Sequence, residues 1–347
     1  MEATPTPSTP TTITTTTTEG EFSRRDGITA AGDQSFSELF ASIVGNVERV
    51  IQGKPEVIEL ILLCLLAEGH LLIEDVPGVG KTSLGKALAT SIRCTFGRVQ
   101  FTPDLLPTDV MGVSVWNRGN GQFEFRPGPI FANLVLADEI NRASPKTQSA
   151  LLEAMGERQV TVDGSTYRLD GPFMVIATQN PIEHEGTYPL PESQLDRFLM
   201  RVSVGYPARN AEIEMLDAHG DHDALEDIGA VIGLKDVVGM IQAVRTVHMA
   251  PSLKAYLVDL AEATRRHPRM ALGVSPRAVL SLQRVARARA AAAGRSYVVP
   301  DDIKALIEPV LAHRLIVTPE AQLAGIDTAG ALREVLHAIP VPGTARR

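Results

Sequence analysis

The sequence contains one glycine-rich segment whose residue types bind phosphate groups. Residues 71–82 read LLIEDVPGVGKT, so a short apolar run ends in a glycine turn. Gly78 and Gly80 allow the backbone to curl until several N–H groups face one anion. Lys81 supplies a cation for the β- and γ-phosphates, and the hydroxyl of Thr82 can ligate magnesium. The segment therefore predicts a phosphate-binding loop.

The stretches on either side of this loop match what such a loop needs. Residues 71–73 are apolar and predict a buried strand, and residues 83–92 carry apolar side chains at helical spacing. A helix that begins at Lys81 adds the positive end of its dipole to the site. Asp75 departs from the general loop pattern, which has glycine at that position. The order of strand, loop and helix nevertheless supports the prediction.

Two adjacent carboxylates follow a second apolar run. Residues 134–139 read LVLADE, so an apolar run carries Asp138 and Glu139 at its carboxyl end. An evenly apolar run predicts a strand that is buried on both faces. Because neighbouring residues of a strand point to opposite faces, the two carboxylates should have different roles. We expect Asp138 to hold a magnesium shell and Glu139 to polarise an attacking water, which indicates nucleotide hydrolysis.

Three further polar residues stand where they could serve the same reaction. Asn180 follows an apolar run at residues 174–178, where its amide would orient the water, contact the γ-phosphate or cap the strand. Arg197 precedes a fifth predicted strand, residues 200–204, and a guanidinium at a γ-phosphate stabilises the transition state. Arg277 lies in the first turn of a helix begun by serine and proline, from which it could reach a bound phosphate. The sequence leaves open whose phosphate Arg197 meets.

The order of the predicted elements divides the chain into three parts. Residues 1–35 are rich in threonine and proline and predict a disordered tail. Residues 36–206 alternate strands and helices, which predicts an α/β nucleotide-binding domain. In residues 207–347 helices replace strands, which predicts a smaller helical lid domain with its linker.

Within the α/β domain, two helices and two hairpins are expected around the sheet. Helices at residues 37–50 and 55–68 are expected to frame the adenine side of the nucleotide pocket. Residues 102–112 are punctuated by proline and predict a loop. Two inserted hairpins are expected at residues 113–126 and 158–169, the second turned at an Asp-Gly dipeptide.

Composition restricts the class of protein. The 347 residues include 33 basic and 41 acidic side chains, and the net charge of −8 argues against nucleic acid or anionic lipid as a partner, while leaving open a local basic groove. The two cysteines have neither disulfide nor metal spacing. No apolar run reaches the ~18 residues of a membrane span. The first 20 residues have no apolar core and no basic leader, so we expect no membrane insertion and a cytoplasmic protein.

Six blocks of the sequence resemble, in the same order, the MoxR family of AAA+ ATPases. They read EDVPGVGKT, FTPDLLPTDVMG, FRPGPIFANLVLADEINRA, LLEAMGERQVTVDG, ATQNPIEHEGTYPLPESQLDRF and GVSPRA. The resemblance covers residues 36–318, and Asp75 does not depart from the family's own pattern. It implies an α/β fold: a P-loop AAA+ core with a five-stranded parallel sheet and hairpin inserts, followed by a smaller all-α lid domain.

The resemblance also implies roles for the residues around the phosphate loop. Lys81 and Thr82 are similar to the Walker A residues, Asp138 and Glu139 to the Walker B pair, and Asn180 to sensor 1. The implied cofactors are ATP and Mg²⁺, with Thr82 and Asp138 as the magnesium ligands. The residues expected to contact the nucleotide are Gly53, Pro77, Gly78, Val79, Gly80, Lys81, Thr82, Ser83 and Asp138.

Two arginines complete the implied catalytic set. Arg197 is similar to the arginine finger that a subunit offers to its neighbour, and Arg277 to sensor 2 of the lid. Together with Glu139 and Asn180 they are the expected catalytic residues. A finger supplied to a neighbour requires head-to-tail contacts, and such contacts close into rings when the rotation allows.

The family implies an ATP-driven ring, usually a hexamer, that remodels or matures protein clients in a chaperone-like way. It also implies a partner with a von Willebrand A domain, encoded elsewhere. Two alternatives stay open at this point. A related AAA+ motor acting on nucleic acid would show ATPase stimulation by DNA, and a nucleotide-gated adaptor would show slow single-turnover hydrolysis in the assembled state.

Overall fold

The computed structural model describes residues 35–181, 186–207, 209, 212, 213 and 224–342. The predicted tail, residues 1–35, lies outside the described residues apart from Ser35. Ser35 caps the first helix: its hydroxyl accepts a hydrogen bond from the N–H of Glu38, and the Glu38 carboxylate accepts one from the N–H of Ser35. The division into domains at residues 206 and 207 stays a prediction.

The centre of the described structure is a parallel sheet of five strands. They are β1 (Leu71–Glu74), β2 (Phe96–Gln100), β5 (Leu134–Asp138), β8 (Met174–Gln179) and β9 (Met200–Val202). Their order is β2-β5-β8-β1-β9, and each neighbouring pair is parallel, so the predicted five-stranded parallel sheet is confirmed. The carboxyl ends of β1, β5 and β8 therefore meet at one edge, where ligands of such sheets bind.

Helices cover both faces of this sheet. They are α1 (Phe36–Glu48), α2 (Pro55–Leu66), α3 (Lys81–Ser91), α4 (Pro107–Met111) and α5 (Pro145–Glu157). Alternate residues of β1 enter different cores: Leu71 and Ile73 pack with α1, α2 and α3, whereas Leu72 packs with α4 and α5. Burial on both faces explains why the strand is evenly apolar.

The predicted loop at residues 102–112 contains the short helix α4, so this part of the prediction was wrong. Pro107 occupies the first turn, where a missing N–H costs nothing, and the Asp109 carboxylate accepts a hydrogen bond from the N–H of Leu106 at 2.9 Å. The prolines that suggested a loop instead begin a helix, whose buried residues Val110 and Met111 join the core.

Two antiparallel hairpins project from the sheet, as predicted. One pairs β3 (Gly112–Asn117) with β4 (Gln122–Pro127), and the other pairs β6 (Gln159–Val162) with β7 (Ser165–Arg168). Phe125 and Tyr167 stack across the two hairpins, with ring centroids 4.0 Å apart and an interplanar angle of 15°. Trp116 and Phe123 remain 51% and 70% exposed on the first hairpin.

The remaining elements are mostly helices, as the predicted lid requires. One short helix, α6 (Glu192–Leu195), precedes β9 in the α/β part. The described helices after residue 206 are α7 (Leu234–Thr246), α8 (Pro251–Arg266), α9 (Pro276–Ala292), α10 (Pro300–Leu311), α11 (Pro319–Leu323) and α12 (Thr328–Ala338). A short antiparallel pair, β10 (Met270–Leu272) with β11 (Ile316–Val317), adds two strands that the sequence did not predict. Among the described residues, none of the helices has the length and apolar character needed to cross a membrane.

Candidate active site

The predicted phosphate loop connects β1 to α3. Gly78 and Gly80 have φ angles of 85° and 82°, in the left-handed region that glycine adopts without strain. Gly80 is the N-cap of α3 and provides no side-chain cap, and the first N–H groups of a helix have no partner within it. The loop therefore offers an anion the backbone N–H groups and the positive end of the α3 dipole.

Lys81 lies at this helix start and folds back over the loop. Its Nζ donates a hydrogen bond to the backbone carbonyl of Asp75 at 2.7 Å. Burial lowers the pKa of Lys81, while the carboxylates of Asp75, Asp138 and Glu139 act in the opposite direction. The predicted phosphate-binding lysine and the predicted acidic pair are thus close enough to interact.

Asp138 ends β5 beside Lys81, and its carboxylate has two partners. Oδ1 accepts a hydrogen bond from the Thr178 hydroxyl at 2.7 Å, and Oδ2 forms an ion pair with Arg98 at 2.7 Å. Arg98 is about half exposed, so this ion pair is open to solvent and exchangeable. The carboxylate is held in place by groups from β8 and β2, on either side of its own strand.

Glu139 leaves the strand with φ 56° and ψ 50°, a left-handed conformation that is uncommon for glutamate. The backbone therefore turns at Glu139, and the predicted strand of residues 134–139 ends one residue early, at Asp138. Oε2 of Glu139 accepts hydrogen bonds from Gln100 at 2.9 Å and Arg142 at 3.0 Å, and the Glu139 N–H donates to the Thr178 hydroxyl at 2.9 Å.

Sequence reasoning missed these partners of the acidic pair. Arg98, Gln100 and Thr178 lie on strands that neighbour β5, and the parallel register sets Gln100 opposite Asp138. Predicting these contacts requires the order of the strands, because that order places the ends of β2 and β8 on the two sides of β5. Asn180 follows β8 and is buried at the same edge, between β5 and β1.

A cavity of about 420 Å³ lies beside the phosphate loop. Residues between α1 and α2 form one wall, residues of the loop form another, and the segment after β9 forms a third; the lining includes Ile51, Gln52, Lys54, Gly78, Val79, Gly80, Ser83, Val204, Gly205 and Tyr206. Gly53, with φ 70°, turns the backbone between the first two helices. The buried Oε1 of Gln52 has no hydrogen-bond partner among the described residues. Gln52 therefore combines a place in the cavity wall with a buried acceptor that the described residues leave unpaired.

Arg197 and Arg277 lie together in a different place. Both line a cavity of about 160 Å³, and among the described residues neither lines the cavity beside the phosphate loop. Nη1 of Arg197 donates to the backbone carbonyl of Leu152 at 2.6 Å. Gly156 makes room for this guanidinium, because a Cβ at Gly156 would lie 2.6 Å from Nη1. Arg277 therefore lies outside the lining of the cavity beside the phosphate loop of its own chain, and its contact with a phosphate stays a prediction.

A third arginine, Arg314, concentrates positive charge at this second cavity. Its Nη2 donates to the carbonyl of Phe198 at 2.6 Å, and its Nε lies 3.5 Å from Oδ1 of Asp196. Burial lowers the pKa of Arg314 to about 10. Its buried Nη1 has no hydrogen-bond partner among the described residues. Five arginines line this cavity against two acidic residues, Glu68 and Asp196, so positive charge prevails there and favours an anion.

Two family models match the sequence. The model of the ATPase family associated with various cellular activities matches residues 70–200, and the AAA lid domain model matches residues 262–335. The first match contains the phosphate loop, the acidic pair and Arg197, and the second contains Arg277. A crystal structure of a proposed ATPase from Cytophaga hutchinsonii has the same fold, with a TM-score of 0.83 and 38% identity, covering 88% of this chain and 96% of that one.

Relatives extend over nearly the whole chain. An uncharacterised protein of Bacillus subtilis, YeaC, is 50% identical over 90% of this chain and 98% of its own length. The chaperone MoxR1 of Mycobacterium tuberculosis is 42% identical over 86% of this chain and 81% of its own length. The protein MoxR of Paracoccus denitrificans is 33% identical over 84% of this chain and 93% of its own length. The chain therefore belongs to the MoxR family of AAA+ ATPases, and it is an enzyme that binds and hydrolyses a nucleotide.

Proposed function

We propose that the chain assembles head to tail into a ring, of hexamer size, that couples hydrolysis of Mg-ATP to the remodelling of protein clients. The observation that carries this proposal is the separation of the catalytic candidates into two groups. Lys81, Asp138 and Glu139 lie at one edge of the sheet, while Arg197 and Arg277 line a separate cavity. In a ring, Arg197 and Arg277 of one subunit would face the phosphate loop of the next subunit and complete the active site of that next subunit.

The described residues fit a purine nucleotide at the phosphate loop. Apolar Ile51 and Val204 line the adjacent cavity, which suits a base. Gln52 lines the same cavity, and a change of its rotamer would let Oε1, which has no partner among the described residues, accept a hydrogen bond from the exocyclic amine of adenine. The phosphates would lie against Pro77, Gly78, Val79, Gly80, Lys81, Thr82 and Ser83, with Gly53 on the base side. The hydroxyl of Thr82 and the carboxylate of Asp138 are oxygen ligands of the kind Mg²⁺ takes.

In the proposed mechanism each residue acts on a defined group. The ammonium of Lys81 leaves the Asp75 carbonyl for the β- and γ-phosphates. Glu139 exchanges its contact with Gln100 for the attacking water and accepts its proton, and Asn180 orients that water. Bound Mg²⁺ would neutralise charge on the β- and γ-phosphate oxygens.

The two arginines act on the nucleotide of the neighbouring subunit. The guanidinium of Arg197 stabilises charge on the γ-phosphoryl group as it is transferred, and Arg277 binds the same phosphate from the lid. Both roles need positive charge that faces an incoming anion, and the five arginines that line the second cavity support this. A finger of this kind is worth about 10³- to 10⁵-fold in kcat.

The client-directed part of the proposal rests on the hairpins and on the relatives. The name of the Mycobacterium relative describes a chaperone. Trp116 and Phe123 give the first hairpin an exposed aromatic tip, which suits contact with an unfolded segment of protein. A von Willebrand A-domain partner, implied by the family resemblance, and a cytoplasmic location, expected from the composition of the first 20 residues, are part of the same proposal.

Mixing two inactive variants tests this function. Turnover per chain should rise with protein concentration in the wild type, and Glu139→Gln and Arg197→Ala should each be inactive. In an equal mixture about one quarter of the interfaces of a random ring join an intact Glu139 to an intact Arg197, so turnover should partly return. A turnover rate that is independent of concentration, with no recovery in the mixture, would refute the shared site.

A further inference from the structure

We propose that Asp75 is a positioning residue that fastens the phosphate loop to the backbone wall of the base cavity. Asp75 is only 7% exposed. Its Oδ2 accepts hydrogen bonds from the N–H of Val204, from the N–H of Gly205 at 2.9 Å and from the hydroxyl of Ser203 at 3.2 Å. Three consecutive residues therefore direct their donors at one carboxylate oxygen.

The conformation of the donating segment suits an anion. Gly205 has φ 65°, and successive N–H groups around a left-handed residue form a concave site that binds negative charge. An ionised acceptor makes stronger hydrogen bonds than a neutral one. Glycine, which the general phosphate-loop pattern has in place of Asp75, would leave the N–H groups of Val204 and Gly205 without this acceptor.

Asp75 also contacts the phosphate side of the site. Its backbone carbonyl accepts the hydrogen bond from Nζ of Lys81 at 2.7 Å, while its side chain holds the segment that contains Val204 and Gly205. That segment lines the base cavity together with the phosphate loop. The same segment has a second contact from outside the phosphate loop: Nζ of Lys54 donates a hydrogen bond to the carbonyl of Tyr206 at 2.7 Å.

The Asp75 carboxylate bridges two subsites, the phosphate loop and the base cavity. If the loop binds the phosphates and the cavity binds the base, as proposed above, Asp75 fixes how far apart the two lie. A nucleoside diphosphate uses both subsites at once, whereas inorganic pyrophosphate uses only the loop. Loss of the Asp75 carboxylate should therefore weaken the binding of ADP and spare the binding of pyrophosphate.

Calorimetric titration of the full chain with ADP and, separately, with inorganic pyrophosphate, both with Mg²⁺, tests this. Asp75→Gly should weaken ADP by about 10- to 100-fold, the value of one charge-assisted hydrogen bond, and change pyrophosphate by less than about threefold. Asp75→Asn keeps an oxygen acceptor without the charge, so its loss of ADP affinity should be smaller. If Asp75→Gly does not fold, the ratio of the two affinities in Asp75→Asn decides.

Asp302→Asn is the matched control. Asp302 is also a buried carboxylate, and it accepts hydrogen bonds from Arg295 and from the N–H of Val299, in the helical part of the chain. Its loss should lower the unfolding temperature and leave both affinities unchanged. Equal losses of ADP and pyrophosphate in the Asp75 variants, or no loss of ADP, would overturn the positioning role. A wild-type chain that binds neither compound would instead refute the nucleotide site itself.

Discussion

Replacing Gly156 by alanine should separate catalysis from stability in this protein. Gly156 lies inside α5, and the added Cβ would be 2.6 Å from Nη1 and 3.7 Å from Cζ of Arg197. Those atoms form the far end of a flexible side chain, which can rotate away at little cost to the fold. Rotation would break the hydrogen bond from Nη1 to the carbonyl of Leu152 and remove the guanidinium from its place in the second cavity.

The two effects on stability nearly cancel. Alanine in place of glycine stabilises a fold by about 1 kcal/mol in a helix interior and by less than that in the last turn, where Gly156 lies. Loss of the hydrogen bond to Leu152 costs about 1 kcal/mol. The free energy of unfolding should therefore change by less than about 1 kcal/mol. Turnover should fall much further, by at least about 100-fold, because an arginine finger is worth about 10³ to 10⁵ in kcat.

The assay compares turnover and urea unfolding for Gly156→Ala, Arg197→Ala and a control, Gly45→Ala. Gly45 lies in α1, and a Cβ there would meet nothing within 4 Å, so this control should gain stability and keep full turnover. Mixing Gly156→Ala with Glu139→Gln should restore part of the activity, as for Arg197→Ala. If Gly156→Ala keeps wild-type turnover while Arg197→Ala is inactive, the position of the guanidinium seen here is not the catalytic one.

Three further outcomes are expected. Glu139→Gln should bind ATP with wild-type affinity and hydrolyse it at least about 100-fold more slowly, measured by calorimetry and phosphate release; rapid turnover would contradict the role of Glu139 as base. Gln52→Leu should weaken ATP about tenfold without loss of thermal stability, because Gln52 lines the base cavity and its Oε1 has no partner among the described residues; unchanged affinity would mean that the base does not contact Gln52. Burial lowers the pKa of His70 from 6.5 to about 4. The unfolded chain therefore binds this proton first, and the free energy of unfolding should fall by about 3 kcal/mol between pH 6.5 and pH 4, with a shallower dependence in His70→Gln on urea titration.

The features that the sequence predicted are those encoded by neighbouring residues. The strand, loop and helix around Lys81 follow from an apolar run, two glycines and helical spacing, and the hairpins follow from alternation and turn residues. Each signal lies within about 20 residues, which is the range over which periodicity can be interpreted. The loop prediction at residues 102–112 was wrong because it was based on proline alone, and Pro107 begins a helix there instead of interrupting one.

The contacts that the sequence did not reveal join residues that are distant along the chain. The ion pair of Arg98 with Asp138 and the hydrogen bond of Gln100 to Glu139 depend on β2 lying next to β5, which strand order decides. The position of Arg277 beside Arg197 depends on how the helical part packs against the sheet. Asp75 could be predicted only in part: the sequence marked it as unusual, but its partners at residues 203–205 follow β9, which lies next to β1 in the sheet and far from it along the chain.

The stacked rings of Phe125 and Tyr167 bear on how this chain could be recombined with its relatives. The two hairpins that carry them are separate in the sequence but share one aromatic contact, with ring centroids 4.0 Å apart. A chimera that received one hairpin from another member of the family would keep its sheet and lose this contact, unless the incoming ring matched the resident one. Both hairpins of a chimera should therefore be taken from the same family member, so that the two stacked rings still match.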